Sequence, residues 1–130
     1  MTDITTIYSM IHWHQPQHIQ EEGIRLSKDI PAKFFIQPIV PEFSKNVWDN
    51  CALILSKRSD DELTEHLFSL FEWLQDMNWP GAICIYDRLK VFENQSKLQK
   101  HIQDCIKIAE KTNDFVWISV LQDLYNGKAL

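Results

Sequence analysis

From about residue 44 almost to the C-terminal end, apolar side chains recur every three or four residues. Such a pattern is buried by packing helices against one another, and it leaves no period-two alternation for a sheet. The clearest stretch runs from Asp60 to Gln75. Ser59-Asp60-Asp61-Glu62 is a capping box in which the serine hydroxyl accepts from the Glu62 backbone. Three acids suit the positive end of the helix dipole. Leu63, Leu67, Leu70 and Leu74 then recur at helical spacing, widened by Phe71.

The spacing predicts four more helices. Ser44 to Lys57 carries Val47, Trp48, Cys51 and Leu55 on one face. A helix from near Trp79, with Pro80 tolerated in its first turn, carries Ile83, Tyr86 and Leu89. Ser96 to Lys111 buries Leu98, Ile102, Cys105, Ile106 and Ala109. Asp114 to Tyr125 buries Ile118, Leu121 and Leu124, with Asn113 as cap and Gly127 as stop. Connections of a few residues favour antiparallel neighbours. Shifted by 35 residues, Leu63, Leu67, Phe71 and Leu74 fall on Leu98, Ile102, Ile106 and Ala109, and Asn78 falls on Asn113. That register suggests a repeated helical hairpin. The expected fold is all-α, with antiparallel hairpins stacked in a HEAT-like right-handed arrangement; a compact bundle is the alternative, because any two amphipathic helices align to some extent.

Patterning is weaker before residue 40, where Pro16, Pro31 and Pro38 fall, with Pro41 just beyond. Residues 1–40 are read as an extension with one or two helices, residues 41–126 as the helical-repeat core, and the whole chain as one domain. Lys33 to Pro41 is apolar and proline-bounded, and is expected to run extended over the helices.

Several function classes are disfavoured. A net charge of −5 lacks the basic footprint that nucleic acids or anionic membranes attract. No apolar run reaches the length of a membrane span, and the N-terminus has no basic leader region, so the expected location is the cytoplasm. Cys51, Cys84 and Cys105 are odd in number and form no Cys-x-x-Cys, which predicts reduced core residues. No nucleophile elbow, phosphate loop or dinucleotide fingerprint occurs, and three glycines offer little material for one. No cofactor is expected, and the chain is read as non-catalytic.

The most distinctive segment is Phe71-Glu72-Trp73-Leu74-Gln75-Asp76-Met77-Asn78-Trp79-Pro80-Gly81-Ala82. Asp76 and Asn78 can bond backbone groups left open where one helix ends and the next begins. Trp73 and Trp79 can bury large areas on either side of that corner. The structural reading is a corner; the functional reading makes Trp73, Asp76, Asn78, Trp79 and Pro80 a binding site. This segment resembles the core motif of a bacterial family, domain of unknown function 5071, which reads Leu-x-Trp-Leu-x-Asp-x-Asn-Trp-Pro. The resemblance extends from Ile39 to about Leu124. Asp114 and Trp117 match the family's later Asp…Trp pair, followed here by Ile118 where members carry Lys. The resemblance implies an all-α fold and no particular activity, and by analogy a place among toxin-immunity and related interaction proteins.

Two further clusters invite a function. His12, His14 and His18 fall within seven residues, and His14 and His18 have metal-ligand spacing on a helix, although Pro16 between them opposes one. A surface cluster is the plainer reading. Asp60, Asp61, Glu62, Glu65, Glu72 and Asp76 would form one acidic helix face, either merely solvated or suited to a basic partner. The leading expectation is a protein-interaction module, an immunity or adaptor protein with a basic protein partner. The alternatives are a small-molecule or metal-binding domain, enzymatic or not, and a purely structural domain.

Overall fold

The computed structural model describes residues 3–129, and among them every regular element is helical. Two helices form in the N-terminal extension, α1 (Ile4–Ile11) and α2 (Gln17–Leu26). Asp3 caps α1 by accepting from the Thr6 N–H, and Pro16 precedes α2. Next come α3 (Trp48–Ser56), α4 (Asp60–Thr64), α5 (Leu67–Trp73), α6 (Ala82–Lys90), α7 (Gln95–Lys111) and α8 (Phe115–Tyr125). Six helices thus occupy the region where five were expected.

The extra one arises because the Asp60–Gln75 stretch breaks. Ser59 caps as expected, its hydroxyl accepting from the Glu62 N–H at 3.1 Å. The Thr64 hydroxyl then donates back to the Asp60 carbonyl at 2.7 Å, a bond that bends helices. The His66 N–H turns to the Leu63 carbonyl in a tighter turn, and α5 starts afresh at Leu67. Asp60 is anchored elsewhere, accepting from Arg88 at 2.6 Å and from the Glu93 N–H at 2.9 Å. The apolar face survives the break: Leu63, Leu67, Leu70, Phe71 and Leu74 are all buried.

Three other boundaries differ. Ser44–Val47 is a 3-10 turn leading into α3. α6 starts at Ala82, because Trp79 and Pro80 are spent in a turn closed by left-handed Gly81. Asn113 terminates α7 and does not cap α8. It is left-handed at φ 55°, and the Asp114 N–H reaches the Ala109 carbonyl while the Asn113 N–H reaches Glu110, a Schellman closure. The cap of α8 is Asp114, which accepts from the Trp117 N–H at 3.1 Å. Gly127 ends α8 as expected, at φ 69° and with the same pair of closing bonds.

One apolar cluster runs from Ile7 and Ile11 in α1 through α3 to α8, ending at Leu124, with Ile24 and Leu26 of α2 partly buried against it. α1 packs with α2, α7 with α8, and α3 chiefly with α6, passing over α4 and α5 between them in sequence. The Lys33–Pro41 arm is not simply extended: Ala32–Phe35 is a 3-10 turn, Phe35 and Val40 enter the core, and Ile39 faces solvent. No described helix is long and apolar enough to cross a membrane.

Candidate functional site

The corner between α5 and α6 is built from backbone groups satisfied by local side chains. As α5 ends, the Asp76 carboxylate accepts from the Asn78 N–H at 2.8 Å, and the Asp76 carbonyl accepts from the Trp79 N–H at 3.0 Å. The turn closes when the Ala82 N–H reaches the Trp79 carbonyl. Gly81 sits at φ +86°, where a Cβ would lie 2.7 Å from that of Ala52 and 2.8 Å from the Trp48 carbonyl oxygen. Only glycine lets α6 approach α3 this closely.

Trp73 is 0% exposed, and its indole N–H donates to the Pro80 carbonyl at 2.9 Å, so the motif clamps itself shut. Trp48 packs edge-on against Trp73 and Trp79, with ring centroids 6.0 and 5.9 Å away, and donates to the Pro38 carbonyl. The Trp117 indole donates to the Phe71 carbonyl inside the core. Trp73, Asp76, Asp114 and Trp117 therefore hold the fold together.

Asn78, Trp79 and Pro80 are placed differently. Together with Trp13, Asp49, Met77, Gly81, Ile83 and Cys84 they line a surface cleft of about 440 Å³. Its rim is apolar and open to water: Trp13 is 46% exposed and Ile83 57%. The Trp13 indole donates to Asp49 Oδ2 at 3.0 Å, which fixes both across the cleft mouth. The Cys84 thiol has a raised pKa, by burial first, against an opposing hydrogen bond with Ser56, with the charges of Asp87 and Asp49 adding to the rise. Lys45 lies 5.7 Å over the rings of Trp48 and Trp79, a cation against the aromatic faces. The lining is thus apolar apart from one carboxylate, Asp49, and the amide of Asn78, with Lys45 over the ring of Trp79.

The motif was legible in the sequence, but Trp13, Asp49 and Ile83 were missed. Of the expected α6 stripe, Tyr86 and Leu89 are buried, joined by Ala82 and Ile85, while Ile83 is turned outward. Ile118 likewise is only partly buried, Trp117 taking its place in the core. The available signal for Trp13 was a large indole in an otherwise polar segment.

The remaining candidates separate. His12 stacks on Phe43 with ring centroids 4.7 Å apart, and its Nδ1 accepts from the His14 N–H. Pro16 keeps His14 outside α2, so His14 and His18 share no helix face. Among the described residues no group of three or more His, Cys, Asp or Glu side chains is placed to hold a metal ion. The acidic face is divided by the break after α4. Asp60 pairs with Arg88, and Glu62 with Arg58, which leaves Asp61, Glu65, Glu72 and Asp76 on separate turns. The Cys51 and Cys105 thiols are buried and their pKa values raised, that of Cys105 to about 12, the opposite of an activated nucleophile.

The fold and corner define the class, an all-α domain whose two central helices are joined by a self-clamped tryptophan turn. The model of the family described as a domain of unknown function, DUF5071, matches residues 44–128, and the chain belongs to that family. The match begins later and ends later than the sequence resemblance suggested, and α1 and α2 lie outside both. No curated protein and no solved structure matches the chain significantly.

Proposed function

We propose that the chain is a non-catalytic protein-interaction module that docks its partner at the Trp13–Trp79–Ile83 cleft. The observation that carries this reading is the exposure of large apolar side chains around a formed recess. A monomer gains nothing by wetting Trp13 and Ile83 together, whereas a partner side chain entering between them would bury both. Asp49 in the lining favours a partner segment in which a bulky apolar residue neighbours Lys or Arg. An adaptor or immunity-type role fits such a surface. The acidic helix face contributes little, since Arg58 and Arg88 already neutralise part of it.

Selection of displayed peptides against the folded chain tests the proposal. Peptides with a large apolar residue beside a basic one should be enriched, and the Ile83→Asp variant should fail to enrich them while keeping its thermal midpoint. Peptides retained equally by Ile83→Asp and by Trp13→Ala would place docking elsewhere and sink this reading.

A further inference from the structure

On the side of α3 away from its contact with α6, a second recess of about 710 Å³ opens between α2 and α3. Its apolar lining is Ile24, Leu53 and Ile54, of which Leu53 is 38% exposed. Four cations line it, Arg25, Lys28, Lys57 and Arg58, against one acid, Glu21. In a chain of net charge −5 this is a local reversal of sign.

The two arginines are already committed. Arg25 pairs with Glu22, and Arg58 pairs with Glu62 while also donating to the Ser27 and Ile30 carbonyls at 2.9 Å. Lys28 and Lys57 have no ion-pair partner among the described residues. Lysine near a helix end commonly serves the last carbonyls and the dipole. Here those carbonyls have other donors. The Ser27 hydroxyl donates to Ile24, the Ser56 hydroxyl to Leu53, and the Lys57 and Arg58 N–H groups to Ile54 and Leu55. Two free ammonium groups therefore stand at the rim of an apolar recess, and its volume lies within the small-ligand range of roughly 300–1,000 Å³. Asn50 at its inner wall is held by bonds to the Ile11 carbonyl and Gln20, so the wall is preformed.

From this arrangement we infer that the α2–α3 recess binds a small amphiphile, its apolar body over Leu53 and Ile24 and its single anionic head between Lys28 and Lys57. The site joins a helix outside the family match to one inside it, and it is independent of the cleft at Trp79. Backbone chemical shifts during titration of the full chain with octanoate test it, with octanol as the uncharged comparison. Octanoate should shift the amides of Ile24, Leu53 and Lys57 and bind more tightly than octanol. The doubly substituted Lys28→Glu/Lys57→Glu chain should bind octanoate roughly tenfold more weakly. Leu53→Asp should abolish the response; all three positions are partly or wholly exposed, so the far-ultraviolet circular dichroism should be unchanged. Equal affinity for octanol and octanoate would overturn the anionic head. Shifts confined to Trp79 and Ile83, or an undiminished response in the Lys28→Glu/Lys57→Glu chain, would overturn the site.

Discussion

Gly81 decides the geometry of the corner more than the tryptophans beside it. Replacing it with alanine places a Cβ against the Trp48 carbonyl at a left-handed φ, which costs about 1–3 kcal/mol for the backbone conformation alone. Gly81→Ala should lower the urea midpoint accordingly. Asp76 and Asn78, separated by Met77 in the motif, should part company under the same assay. Asp76→Ala removes the acceptor of the Asn78 N–H and should cost about 1 kcal/mol. Asn78 is exposed, and Asn78→Ala should change stability by less than about 0.5 kcal/mol. Asp60 adds a pH dependence. Burial acts to raise its pKa, but the Glu93 N–H and Arg88 outweigh that, and the net value is lowered from 3.8. A depressed folded pKa stabilises fully above the unfolded value and is lost as pH falls through the folded one. Asp60→Asn should therefore flatten the acid limb of a stability-versus-pH curve below about pH 4. At this scale the sequence showed which residues form the corner. It could not show which of them face water, because that depends on how α3 packs across the turn.

Helix identity was largely readable from apolar spacing and caps, whereas helix continuity was not. α7 ends at Lys111 as expected and begins one residue early, capped by Asn94 accepting from the Lys97 N–H at 3.0 Å. The Asp60–Gln75 periodicity is equally regular, yet the chain breaks at Glu65–His66. An apolar stripe constrains which side is buried and says nothing of a local bond such as Thr64 to Asp60. The 35-residue register fared similarly. It aligned Asn78 with Asn113, but the first is an exposed turn residue and the second a left-handed helix terminator. Trp117 links α8 to α5 through the Phe71 carbonyl at 2.8 Å. Trp117→Phe stays aromatic but loses that bond and the volume of the second ring in a buried position, and chemical denaturation should register a loss of about 1–3 kcal/mol.

Across the whole molecule, the N-terminal extension is part of the core and not an appendage. Ile7, Ile11 and Phe35 are fully buried among residues from the family-matched helices. Each such side chain contributes about 1.5–3 kcal/mol by burial, against a total stability of about 5–15 kcal/mol for an ordinary domain. A chain lacking residues 1–40 should accordingly lose its cooperative thermal transition, even though the family match begins only at Ser44. A sharp melt at an unchanged midpoint would show the extension to be dispensable. The extension also supplies one wall of each recess: Trp13 at the Trp79 cleft, and Ile24 and Lys28 at the α2–α3 recess.

Local spacing and capping were enough to read the all-α class, the approximate place of each helix, the terminal groups Ser59 and Gly127, and the tryptophan corner. These depend on spacing and on side chains acting within a few residues, which a linear pattern records. Tertiary structure decided that α3 packs on α6, that Ile83 and not Ile85 faces solvent, and that Trp13 meets Asp49 across 36 positions of chain. It also withdrew Asp60 and Glu62 from the acidic face by pairing them with Arg88 and Arg58. Such outcomes rest on contacts between segments distant in the chain, where packing and desolvation select one partner among many that local spacing would allow.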